Sequence, residues 1–190
     1  MNNRKRVSQF LIDDSLTRHP LIGELLACCR PIPVAWFSNS AEQLLRSIRG
    51  QSTRTVVITR NPGLFFKPMH ASGGIPDPER IGHYRFDMLQ GCPGRCLYCF
   101  CRCYLNTPSP HVFLNIEDAT GEPACRVPSR LVTGDIADSL ALGSLSLLLH
   151  EYAAICLPDS RFELRSKFAL PPGWQRLDPR RFRLDWSSSP

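Results

Sequence analysis

Residues 161–170 read Arg-Phe-Glu-Leu-Arg-Ser-Lys-Phe-Ala-Leu, and residues 181–189 read Arg-Phe-Arg-Leu-Asp-Trp-Ser-Ser-Ser. In the first run Phe162, Leu164 and Phe168 face one way, and Glu163, Arg165 and Lys167 the other. The second sets Phe182, Leu184 and Trp186 against Arg183, Asp185 and Ser187. A period of two marks strands. Just upstream, Leu142, Leu145, Leu148, Leu149 and Tyr152 follow helical spacing, with Asp138 or Ser139 as the expected cap and Pro158 as the stop. Further back, residues 130–136, 111–116 and 84–90 are strand candidates, and the β-branched run 53–60 is a strand ended by Asn61-Pro62-Gly63. Strands alternating with helices predict an α/β fold with a parallel sheet. Fully buried parallel strands are usually apolar on both faces. The charged second face therefore fits a barrel interior holding a polar ligand, or an edge strand with one wet face. Periodicity alone does not separate the two.

Residues 1–52 read as loops and helices, with helix candidates at 22–28 and 41–48. The Pro-, Gly- and Ser-bearing stretch 68–82 is the best internal boundary. It divides an N-terminal extension, 1–82, from a core, 83–190. A length of 190 residues allows one domain, or one with a small appendage. A hydrophobic content of 43% argues against wholesale disorder, and 17 prolines predict short elements and many turns. The apolar run 140–149 is broken by Gly and Ser and falls short of the ~20 residues of a membrane span. Residues 1–6 are basic, but no apolar segment with a cleavage site follows, so a cytoplasmic protein is expected. The net charge, 23 − 17 = +6, permits contact with nucleic acid without requiring it. The densest basic set is Arg176, Arg180, Arg181 and Arg183.

Nine cysteines are present, and Cys92, Cys96, Cys99, Cys101 and Cys103 fall within twelve residues. An odd count without an export signal argues against a disulfide framework and for metal ligation. The spacing Cys92-x3-Cys96-x2-Cys99 can hold three irons of a 4Fe-4S cluster and leave the fourth open. Zinc is the competing reading, with Cys101 or Cys103 completing a four-ligand site. Cys125 and Cys156 read as ordinary buried thiols.

The run GCPGRCLYCF at 91–100 resembles the cofactor loop of the radical S-adenosylmethionine superfamily. More narrowly, the chain resembles the spore photoproduct lyase-like branch, through HPLIGELL, RTVVITRNPGLFFKP, VFLNIED, TGDIADSLAL, FELRSK and RLDWSSSP. The resemblance implies a partial (β/α) parallel barrel of radical SAM type, incomplete at the C-terminus, with a small N-terminal α/β extension. It also implies that Cys92, Cys96 and Cys99 bind a 4Fe-4S cluster whose open iron takes S-adenosylmethionine. Reductive cleavage would give a 5′-deoxyadenosyl radical that abstracts hydrogen from a substrate still to be identified, DNA among the candidates. Phe100 would pack near the adenine, and Thr133-Gly134-Asp135 would receive the methionyl ammonium. Ser166, Lys167 and Ser187 would reach the ribose or carboxylate. Lys167 and Ser187 lie on the polar faces read above; Ser166 does not. A flavodoxin- or ferredoxin-like electron donor is implied, nucleic acid is a candidate partner, and no membrane is expected.

Four departures from that pattern matter. The repair lyases carry a hydrogen-donating cysteine before the Thr-Gly-Asp block, where this chain has Val132. They carry a tyrosine where it has Phe100. Relatives place a long helix between the VFLN strand and the Thr-Gly-Asp strand, whereas Gly121, Pro123 and Pro128 leave no room for one over 117–129. The barrel would also continue beyond Pro190. Three readings follow: a radical SAM enzyme with lyase-like chemistry, a non-catalytic zinc or iron–sulfur module, and a degenerate fragment.

Overall fold

Proline and glycine punctuate the chain so often that its elements stay short. A computed structural model describes residues 7–38, 54–69, 82–94, 99, 105 and 109–186. Among them are strands β1 (Gln9–Asp13), β2 (Val34–Phe37), β3 (Thr55–Thr59), β4 (Phe66–Pro68), β5 (Gly82–Phe86), β6 (Leu89–Gln90), β7 (His111–Phe113), β8 (Ser129–Thr133), β9 (Ser160–Ser166) and β10 (Phe182–Trp186). Two α-helices accompany them, α1 (Ile22–Cys29) and α2 (Ser144–Cys156). The strands form two five-stranded sheets, ordered β2-β1-β3-β7-β6 and β10-β9-β8-β5-β4. All pairings are parallel except β4 with β5 and β6 with β7. The chain is thus an α/β protein with mainly parallel sheets.

The first sheet is mostly apolar and largely buried on both faces; its one buried carboxylate, Asp13 at the end of β1, accepts the Thr59 hydroxyl at 3.1 Å. Every residue of β3 is buried, and Ile58 stands in register between Ile12 and Val112. The second sheet is apolar on one face only. There Phe86, Leu131, Phe162 and Leu164 join the core that covers α2, while Phe182 stacks on Phe162 at 5.1 Å. Strands from both sides of residue 82 share each sheet: β7 beside β3, and β4 beside β5.

Two local expectations are corrected. β1 and β2 are strands in a stretch whose sequence reads as loops and helices; the helix candidate at 41–48 lies outside the described residues. Helix α2 starts at Ser144 behind Gly143, whose φ of 63° ends the preceding turn, so neither Asp138 nor Ser139 caps it. Asp138 instead accepts the Leu140 N–H at 3.0 Å and shapes the turn before the helix. The segment 117–129 does lack an α-helix: Ile116–Gly121 and Pro123–Arg126 form 3-10 turns. No long crossover is needed there, because β7 and β8 belong to different sheets. The buried Glu122 carboxylate in this segment accepts the Phe65 and Phe66 N–H groups at 2.6 and 3.0 Å, fastening it to β4.

Candidate functional site

Parallel strands gather their carboxyl ends at one rim, where ligands of open α/β sheets bind. Here that rim is formed by the carboxyl ends of the parallel strands β8 and β9, and the chain leaving β5 through β6 joins it. Gly91 follows β6, pairs parallel with Ala137, and donates its N–H to the Ile136 carbonyl at 2.7 Å. The cysteine loop therefore leaves the sheet beside the segment that follows Thr133-Gly134-Asp135. Cys92 is half-buried and outside any disulfide, and its sulfur accepts the Gly94 N–H at 3.3 Å. A Cβ on Gly94 would stand 3.4 Å from the Phe168 ring, so the segment after β9 also lies against this loop. Cys99 is also half-buried and in no disulfide. Cys96, Phe100, Cys101, Cys103 and Ser187 lie outside the described residues.

The turn after β8 depends on Gly134. Its φ is 95°, and a Cβ there would meet the Arg165 carbonyl oxygen at 2.5 Å and Ser139 Oγ at 2.7 Å. Ser139 locks this turn to β9: its N–H donates to the Arg165 carbonyl at 3.0 Å, and its Oγ accepts the Arg165 N–H at 3.1 Å. Thr133 Oγ1 lies 2.7 Å from Ser139 Oγ and 3.3 Å from His150 Nε2. The His150 Nδ1–H donates to the Ser146 carbonyl at 2.6 Å, which leaves Nε2 as the acceptor. Burial holds this imidazole neutral and lowers its pKa to about 4, against a smaller opposing effect of the Ser146 hydrogen bond.

Asp138 organises the neighbouring segment. It accepts the Ser166 hydroxyl and the Lys167 N–H, each at 2.7 Å. Burial raises its carboxyl above the ordinary range, although both those hydrogen bonds and that from Leu140 pull the other way. Thr133 and Ser166 thus direct their hydroxyls into internal hydrogen bonds, while Lys167 is exposed. Register places Trp186, the last described residue, opposite Ser166.

The polar face of the second sheet is laced with charge of alternating sign. Asp87, 4% exposed, binds Arg85 Nε at 2.8 Å and Lys67 Nζ at 3.2 Å. Glu163, also buried, pairs with Arg130 on β8 and with Arg165 Nε at 3.1 Å. Arg165 then reaches Asp135 Oδ1 at 2.8 Å and Asp185 at 3.9 Å. Burial alone would raise the Glu163 carboxyl, but the hydrogen bond and charge of Arg130, followed by those of Arg165, outweigh it and hold it below its ordinary value. Val132, fully buried, stands in register between Arg85 and Glu163 on this face. Sequence alternation locates Glu163 and Arg165; Arg130, Ser139 and the bridging role of Asp138 emerge only from the tertiary pairing.

Elsewhere Cys125 and Cys156 are half-buried thiols whose pKa values burial raises, which suits inert structural cysteines. Among the described residues no three His, Cys, Asp or Glu side chains stand together as a metal site, and no helix is long and apolar enough to cross a membrane.

No protein-family profile matches the chain, and no curated protein sequence matches it. Its fold is similar to that of a solved spore photoproduct lyase, a cysteine-to-alanine mutant with dinucleoside spore photoproduct. The TM-score is 0.69 at 17% identity, over 94% of this chain and 55% of that one. The chain thus spans about half the length of that enzyme, and the likeness is one of fold.

Proposed function

We propose that this chain is a radical SAM protein of the spore photoproduct lyase-like branch, built on the cluster-bearing part of a partial (β/α) barrel. One observation carries the reading. The fold sets the start of the Cys-x3-Cys-x2-Cys loop, through Gly91 and Gly94, against the segments that follow β8 and β9, beside the Gly134 turn and Phe168. Cys92, Cys96 and Cys99 would ligate the cluster. The Gly94 N–H on the Cys92 sulfur is the kind of hydrogen bond that raises the potential of such a centre. Among the described residues Cys92 and Cys99 are cysteines outside any disulfide, and thiolate sulfur is the donor type such a cluster takes. When bound, the cluster supplies the electron that splits the cofactor's sulfonium and starts hydrogen abstraction.

The chain's own residues position and exclude. Asp135 and Lys167 would complement the ammonium and carboxylate of the methionyl end, with Phe100 against the adenine. Gly134, Ser166 and Ser187 would supply close backbone or hydroxyl contacts. Thr133 fixes the turn from behind. Val132 offers no thiol hydrogen, which favours a product radical quenched by other means or a substrate other than the DNA photoproduct. A flavodoxin- or ferredoxin-like donor and a nucleic-acid substrate belong to the same proposal. A non-catalytic metal module is the second reading, favoured by the Arg165–Asp135 ion pair that already engages the carboxylate.

Anaerobic iron–sulfur reconstitution tests the cluster. Cys92→Ala, Cys96→Ala and Cys99→Ala should each lose it, while Cys101→Ala and Cys103→Ala keep it, as read by iron content and absorbance. Iron retained in Cys96→Ala, or lost only in Cys103→Ala, overturns the assignment, and a colourless zinc protein supports the second reading. In the reconstituted protein, Asp135→Ala and Lys167→Ala should each weaken S-adenosylmethionine binding about 5–150-fold, the equivalent of about 1–3 kcal/mol. Unchanged affinity in both places the cofactor elsewhere.

A further inference from the structure

β10 stands at the edge of its sheet, and among the described residues no strand pairs with its outer side. The direction of its backbone groups follows from one hydrogen bond. Phe162 N–H donates to the Arg181 carbonyl at 2.7 Å. In a parallel ladder, alternate residues point their N–H and C=O the same way. Arg183 and Asp185 therefore aim their backbones at β9, and Phe182, Leu184 and Trp186 aim theirs outward. Phe182 N–H is already taken by the Asp178 carbonyl at 2.9 Å. What remains is a short template with the sequence Phe-Arg-Leu-Asp-Trp and a half-exposed Trp186.

That sequence is complementary to itself when reversed. Centred on Leu184, an antiparallel copy sets Arg183 opposite Asp185, Asp185 opposite Arg183, and Phe182 opposite Trp186. The faces agree as well. Arg183 and Asp185 share the charged face with Glu163 and Arg165, while Phe182, Leu184 and Trp186 share the apolar one. Opposite charges facing each other across strands stabilise pairing, and like charges oppose it.

We propose that the outer edge of β10 pairs antiparallel with β10 of a second copy of this chain, in register about Leu184, closing a twofold dimer. Leu184 exchanges N–H···O=C bonds with its counterpart, and each Trp186 N–H reaches the Phe182 carbonyl across the interface. Two Arg183–Asp185 ion pairs form between copies. Asp185 lies 3.9 Å from Arg165 Nε, so the second copy adds its Arg183 to the charge network of the rim. Such an interface is isologous and closes, which removes an edge that would otherwise invite open-ended pairing.

The test is the mass of the full chain by light scattering after size exclusion, from micromolar to sub-millimolar concentration. The unaltered chain should be a dimer. Arg183→Asp and Asp185→Arg each place like charges opposite one another twice, and should raise the dissociation constant about tenfold or more. An equimolar mixture of the two variants restores complementarity and should run as a heterodimer; the double exchange should restore the homodimer. Recovery in the mixture also shows that the single variants fold. A monomeric unaltered chain, a dimer indifferent to both single changes, or a mixture that stays monomeric each overturns the proposal. These substitutions leave the cluster cysteines in place, so iron content reports on the proposed function separately.

Discussion

The two sheets use the same strand geometry for different ends. In the first, β3 buries Val56, Val57 and Ile58 completely and spends no charge. In the second, β8 and β9 bury one apolar face and line the other with Arg130, Glu163 and Arg165 in ion pairs. Transfer of apolar side chains from water is the dominant favourable term in folding, whereas half-exposed ion pairs contribute about 0–1 kcal/mol. The first sheet therefore holds the fold, and the second trades stability for a charged face.

The strongest way to break this contrast is to empty the first sheet. Ile58→Ala should cost about 2–5 kcal/mol in urea unfolding, since Ile58 is fully buried between Ile12 and Val112. A loss under 1 kcal/mol would mean that β3 is not the structural spine. The next effect depends on pH. His150 titrates near 6.5 when unfolded and at about 4 when folded, so between those values the unfolded chain binds more protons. Stability that is complete above pH 6.5 should fall by about 3 kcal/mol as the pH drops to about 4. Asp138, with its carboxyl raised by burial, works in the opposite sense at the acid end. Comparison with His150→Gln isolates the histidine: the variant's stability should vary less over this window, and parallel curves would remove the claim. The smallest effect should come from the rim. Glu163→Gln should cost only about 1 kcal/mol, because water can replace the carboxylate at the half-exposed Arg130 and Arg165. A cost equal to that of Ile58→Ala would erase the distinction between the sheets.

Much of this was legible where the chain alternates. The opposed faces of β9 and β10 follow from period two, and the polar face of β9 joins Arg130 of β8 in one ion-pair network. The α/β class, the first helix and the lack of a helix over 117–129 are written in the order of elements and in Pro123 and Pro128. β1 was not legible, because Gln9–Asp13 is buried on both sides and shows no alternation. β2 is four residues after two prolines, too short to carry a pattern. Asp138 looks like a helix cap in sequence, yet its partners, Ser166 and Lys167, come from β9 and the turn beyond it, nearly thirty residues on. The carboxylate is recruited by tertiary contact, which a local propensity does not record.

The run from β5 to β6 joins both sheets. Gly82–Phe86 pairs with β8 and β4, and after the bend at Asp87 and Met88, Leu89–Gln90 pairs with β7. Asp87 N–H bonds the Phe65 carbonyl at 3.3 Å, and the Phe113 N–H bonds the Met88 carbonyl at 3.0 Å, so the bend itself is held from both sides. One stretch of nine residues is thus a common seam. Its amides should be among the slowest to exchange with deuterium, because releasing them requires both sheets to open together. The seam closes only after partners far along the chain have arrived: the β8 partners of β5 lie nearly fifty residues later, and β7 must also find β3, more than fifty residues earlier. Such distant pairings make folding slow, whatever the final stability, and leave the nascent chain waiting for its second half before its first can settle.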